Sequence, residues 1–197
     1  VFKEFKPGQE IVLEKFDKFF LPGKPYLDRI VMKFNPDATN LLIGLERGDI
    51  NVLPYMTEPT ILRRAKDNAA LTMTNQGYEG IGALSWLAFN TARKPLDDVR
   101  VRQALNLAIN RKAIADRILQ GAATEANQWM PKGTFGYNPD VKNIPNDAAQ
   151  AKKLLAEAGY PDGFKLTMHV PNDRYPQGPE TAQAVAQFWT RAGVKTQ

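Results

Sequence analysis

The chain has no cysteine, one histidine and little serine. Disulfides, thiol catalysis and zinc–thiolate sites are therefore excluded, while the redox compartment is left open. A Ser–His–acid triad or a histidine-rich metal site would have to be built around His169 alone. Composition thus argues against most enzyme classes. No run approaches the roughly 20 mostly apolar residues of a membrane-spanning helix. The longest uncharged apolar stretch, Ile81 to Ala92, is interrupted by Asn90 and Thr91. Val1 opens a charged segment with no basic and apolar leader, which is also what removal of a leader leaves behind. There is no G-x-x-x-x-G-K-[ST] phosphate loop, no internal repeat and no low-complexity segment.

What is present is ordinary for a soluble globule. Of 197 residues, 43% are apolar and 24% charged. That length suits one large domain or two small ones, and can bury roughly 70% of the unfolded surface. The net charge of +5 raises the question of nucleic acid. Residues 1–76 hold 11 basic and 10 acidic side chains, and residues 77–197 hold 15 and 11. The densest basic stretch, Arg100, Arg102, Arg111, Lys112 and Arg117, is interleaved with Asp97, Asp98 and Asp116. This reads as a solvated helix face, and no basic tail or Gly–aromatic RNA signature accompanies it.

Periodicity alternates between strand and helix. A strand is predicted over Glu10–Lys15 and another over Arg29–Phe34, with Ile30, Met32 and Phe34 on one face. Asn35 and Pro36 predict a helix start, Leu41, Leu42 and Leu45 its stripe, and Gly48 its left-handed stop. Thr57 predicts the cap of a helix carrying Ile61, Leu62 and Ala65, and Leu71–Asn75 reads as a strand. Leu84–Asn90 also reads as a strand, with Trp86 in the core. Asp97 or Asp98 caps a helix through Ile109, and Asn110 caps another ending at Gly121. A loop of 24 residues, Ala122–Pro145, exceeds ordinary connections, which favours a functional or closely packed loop. Asp147 starts a helix that Gly159 stops. Phe164, Leu166, Met168 and Val170 mark a strand, Glu180–Ala192 a helix with Trp189 inward, and Val194–Gln197 a strand. The alternation gives an α/β chain.

Several runs then act together. They are Leu41-Leu42-Ile43-Gly44-Leu45-Glu46-Arg47-Gly48-Asp49-Ile50, Leu87-Ala88-Phe89-Asn90-Thr91, and Pro95-Leu96-Asp97-Asp98-Val99-Arg100-Val101-Arg102-Gln103-Ala104-Leu105 continuing to Asn110-Arg111. To these add Ala151–Tyr160 and Phe188–Val194. In this order and spacing the chain resembles the dipeptide/oligopeptide-binding proteins of ABC importers, which also serve nickel and glutathione uptake. The resemblance implies mixed-sheet segments of a two-lobed periplasmic-binding-protein architecture (type II, peptide-binding). It implies that the architecture is incomplete here, because family members are much longer. Residues 1–76 would belong to the first lobe and residues 77–197 to the first part of the second. The implied function is peptide binding by lobe closure and delivery to the membrane permease subunits, with ATP hydrolysed elsewhere. It implies no enzyme activity, no cofactor, no metal, no nucleic acid and no membrane insertion of this segment. The implied place is the periplasm, or a lipid anchor outside the cytoplasmic membrane. The rival readings are a non-specific polypeptide-binding module, a receptor for an opine or metal complex, and a hydrolase or transferase of the same lobed shape.

A peptide carboxylate calls for a planar, two-pronged donor. The resemblance implies such an Arg after the strand at 164–170, and Arg174 is the Arg in that segment. It implies an acidic partner for the peptide ammonium beyond Gln197. Trp129 in the long loop is a candidate to stack on ligand, against packing under the loop. Tyr78, near the implied lobe crossing, is a candidate cleft residue. His169 alternates away from Met168 and Val170 and reads as a surface side chain. The isolated chain is expected to self-associate, or else to bind ligand very poorly.

Overall fold

The computed structural model describes residues 1–76, 84–172 and 174–197. It divides into two compact units. Val1–Met56 with Thr60–Thr72 forms the first, and Thr57–Pro59 with Met73–Gln197 forms the second.

The first unit opens on an antiparallel sheet of β1 (Phe2–Lys6), β2 (Glu10–Glu14) and β3 (Arg29–Lys33), paired in that order. The register sets Phe5 opposite Ile11 and Ile11 opposite Met32, while Leu13 faces Ile30. Directly opposed residues share a sheet face, so these side chains form one apolar face. Phe34 joins it by edge-to-face contact with Phe5, 6.4 Å between centroids. The other face carries Glu10 against Lys33 and Glu14 against Arg29. The β3 alternation read from the sequence is therefore correct, but its apolar side chains remain half-exposed.

Helix α1 (Ala38–Arg47) starts two residues later than expected. Asp37 is the cap, accepting from the Asn40 N–H at 2.7 Å, and Asn35 instead accepts from the Asp37 N–H. Asn and Asp cap equally well by residue type; here the Asn35 oxygen is taken by the Asp37 N–H, and Asp37 pairs the otherwise open amide of the first turn. Gly48 stops α1 at φ 80° and donates to the Leu45 carbonyl. Helix α2 (Pro59–Lys66) follows. Leu71–Asn75, expected as a strand, forms none. Its pattern was apolar enough, but a strand exists only where a ladder partner is present.

The second unit is a helical cluster with a small parallel sheet. Asp98 caps α3 (Val99–Ala108), accepting from the Arg100 N–H at 2.8 Å. Asn110 caps a turn, α4 (Arg111–Ala113), that widens into a π-helical turn over Ile114–Ile118. Asp147 caps α5 (Ala148–Glu157). Helix α5 lies antiparallel to α3, as the hydrogen bonds at both ends require. Arg100 donates to the Glu157 carbonyl at the end of α5. Asn146 and the Asp147 N–H donate to the Leu107 carbonyl at the end of α3. Each contact satisfies a terminal carbonyl that the helix itself leaves open.

Strands β4 (Phe164–Leu166) and β5 (Val194–Thr196) pair in parallel, joined by α6 (Gly178–Arg191) as a crossover. Val101, Leu105, Leu155, Val185, Trp189 and Val194 sit at the centre of the core. Trp189 is 2% exposed and its indole N–H donates to the Leu105 carbonyl at 3.0 Å. Gly163 and Gly193 let β4 and the start of β5 come together: a Cβ on Gly163 would lie 1.8 Å from the Gly193 oxygen. Both take positive φ, 75° and 103°.

Leu84–Asn90 is not a strand, and Trp86 is not core but 61% exposed. Phe89, not Trp86, is the side chain of this segment that packs on the core, 6.3 Å from Trp189.

Candidate functional site

The loop 122–145 is closed by side-chain amides. Gln128 Nε2 donates to the Asn138 carbonyl at 2.8 Å, and its Oε1 accepts from the Asn138 N–H at 2.9 Å. The Gln128 amide thus pairs with the backbone as a neighbouring strand would. Asn127 Nδ2 donates to the Val141 carbonyl. Beyond Trp129, the Thr134 N–H and hydroxyl both bond the Pro131 carbonyl, at 3.1 and 2.7 Å. Gly136 adopts φ 88° and would bring a Cβ to 3.4 Å from Met130 Cγ. Trp129 therefore lies between two hydrogen-bonded closures.

Trp129 is not packed under this loop. It is 65% exposed and meets Trp86 at a centroid separation of 5.4 Å and an interplanar angle of 62°. In an edge-to-face pair one ring's face receives the other's edge, and both side chains remain more than half exposed. The two indoles form a corner with apolar walls. Trp86 is the residue that sequence reasoning missed as a site candidate. No sequence signal marks it, because the segment forms no strand and its alternation does not fix which side chains turn inward.

Arg174 lies in the segment leading to α6 and is exposed. Its Nε donates to the Tyr175 hydroxyl at 3.3 Å, and its guanidinium sits 5.6 Å from that ring's centroid. Gln177 precedes α6 at φ 51°, and its Nε2 donates to Glu58 Oε1. Among the described residues, no hydrogen bond, ion pair or ring contact joins Arg174 to Trp129. Tyr78 lies outside the described residues. His169 is exposed, as expected.

These groups can bind rather than make bonds. A guanidinium offers parallel donors to a carboxylate, and open indole faces offer dispersion and edge contacts to a flat or apolar group. Among the described residues, no set of three or more His, Asp or Glu side chains is gathered as metal ligands. No described helix is long and apolar enough to cross a membrane. Near the start of the loop, burial pushes the Arg111 guanidinium down, with the Glu125 carboxylate pulling it up. Arg111 is held by Asn106, through its carbonyl at 3.1 Å and its Oδ1 at 2.8 Å.

Comparison with known proteins gives one consistent result. Residues 1–197 match the profile of the bacterial extracellular solute-binding proteins, family 5, middle part. Heme-binding protein A of Haemophilus influenzae is 32% identical over 199 residues, covering 100% of this chain and 36% of that protein. The dipeptide-binding protein of Escherichia coli K12 is 32% identical over 196 residues, covering 98% of this chain and 36% of that protein. Among solved structures, the ABC transporter-associated periplasmic binding protein DppA from Helicobacter pylori, in complex with peptide STSA, superposes with a TM-score of 0.78 at 27% identity. That match covers 100% of this chain and 37% of the other. The chain thus spans little more than a third of the length of the proteins it matches.

Proposed function

Because the chain belongs to family 5 of the bacterial extracellular solute-binding proteins, we propose that it serves as part of a solute receptor for an ABC importer, with a peptide or peptide-like molecule as its solute. The observation that carries this reading is the match along the whole chain to a dipeptide-binding protein. Residues 1–76 are assigned to the first lobe and residues 77–197 to the second. Lobe closure around the solute and presentation to permease subunits then constitute the working cycle. The receptor catalyses no reaction on its solute.

Arg174 is the proposed carboxylate partner. Calorimetric titration of the full-length receptor that carries this chain, with a free-acid dipeptide and its C-terminal amide, tests both claims. The acid should bind about ten- to a hundredfold more tightly than the amide, and Arg174→Ala should erase that difference. Absence of heat with either peptide overturns the peptide reading. An unchanged acid preference in Arg174→Ala removes Arg174 from the site.

A second solute class has support of its own. The relative named for heme is as similar as the one named for dipeptides, and a flat metal complex suits the open indole faces. Hemin titration followed by absorbance decides that case.

A further inference from the structure

The geometry points to the Trp86–Trp129 corner as a subsite for an uncharged aromatic or large apolar group of the solute. This rests on the receptor reading and adds the side-chain class that the receptor selects. Both indoles are more than half exposed although each is large enough to be a core residue, and they contact one another. Their planes differ by 62°, so a third flat group can stack on one ring and present its edge to the other. The backbone around Trp129 is fixed before any ligand arrives, by the Gln128 clasp on Asn138 and the Thr134 turn on Pro131. Preorganisation of this kind lowers the ordering cost of binding. A cationic group would also find indole faces attractive. The basic excess of residues 77–197, 15 against 11, disfavours it, and the proposal commits to a neutral group.

The test uses two sets of probes. N-acetyl-phenylalaninamide and N-acetyl-alaninamide carry no terminal charges and report on the corner alone. In nitrogen–proton spectra the phenylalanine probe should shift the indole N–H signals of Trp86 and Trp129 and leave Trp189 in place. The alanine probe should shift none. Trp129→Ala should abolish the shift at Trp86, and Trp129→Phe should keep most of it. Ala-Phe should bind about tenfold more tightly than Ala-Ala. That preference should vanish in Trp86→Ala and Trp129→Ala. The unmoved Trp189 signal certifies that the variants fold. Silent indoles with equal binding of the two dipeptides overturn the subsite and leave the receptor reading standing. Indoles that answer the phenylalanine probe while neither dipeptide binds support the subsite and overturn the peptide reading. A stronger response to Ala-Lys than to Ala-Phe overturns the neutral class.

Discussion

The two units solve the same problem with different means. In the second, α3, α5 and α6 enclose Leu105, Leu155 and Trp189, each 2% exposed or less. Terminal carbonyls of α3 and α5 are bonded to side chains from elsewhere in the unit. In the first, only Val12, Leu42 and Ile61 are buried apolar residues among those described, and an apolar sheet face stays open. Its surface is laced instead with ion pairs such as Lys6–Glu10 and Lys3–Glu14. Exposed pairs contribute about 0–1 kcal/mol each, less than one fully buried Leu. Stability should therefore be concentrated in the second unit, and that contrast can be broken.

The largest effect is expected at Trp189. Its replacement by Ala removes a buried ring and the donor to the Leu105 carbonyl. A loss of about 3–5 kcal/mol is expected in denaturant melts. A loss below about 1 kcal/mol would mean that the α3–α6 seam does not organise its unit. Next is Leu42→Ala, at about 2–5 kcal/mol. With so few buried neighbours, it should strip amide-exchange protection from β1–β3 and leave α3, α5 and α6 protected. Uniform loss across both units would erase the contrast.

Gly163→Ala should cost about 2–4 kcal/mol, because the residue combines positive φ with a backbone oxygen in the way. A neutral result would show that β4 and β5 can separate freely. The smallest effect concerns pH. The Arg100 guanidinium, then the Arg100 N–H, hold the Asp98 carboxyl down from 3.8 to about 2. A depressed folded-state value contributes stability above the unfolded value and loses it as pH falls. The contribution should fade between about pH 3.8 and 2. Asp98→Asn should flatten the stability curve in that window, and an unchanged slope would show that the pairing is not maintained in solution.

Much of the second unit was legible because its signals are local. Asp98, Asn110 and Asp147 are caps whose bonds lie within three residues, and Gly159 and Gly193 mark stops through backbone conformation alone. What escaped depends on distant partners. β1 went unread since its apolar residues, Phe2 and Phe5, are three apart and do not alternate, a bulge falling between Phe2 and Glu4. Leu84–Asn90 alternates in sequence yet forms no strand, and which of its side chains turns inward is settled by the contact of Phe89 with Trp189, a hundred residues on. The candidate site divides in the same way. Trp129 was visible as a tryptophan in a long loop, whereas its partner Trp86 is identified only by the ring contact between them. Arg174 came from resemblance and could not have come from spacing.

The Gln128 clasp has a consequence in the language of coding. A side-chain amide standing in for a strand puts two of the bonds that close a long loop into one position. Asn is a methylene too short to reach both polar groups of Asn138, and Glu offers no donor to its carbonyl. Either glutamine codon becomes a glutamate codon by changing its first base. The loop can therefore drift at its exposed positions and still lose this clasp by a single nucleotide.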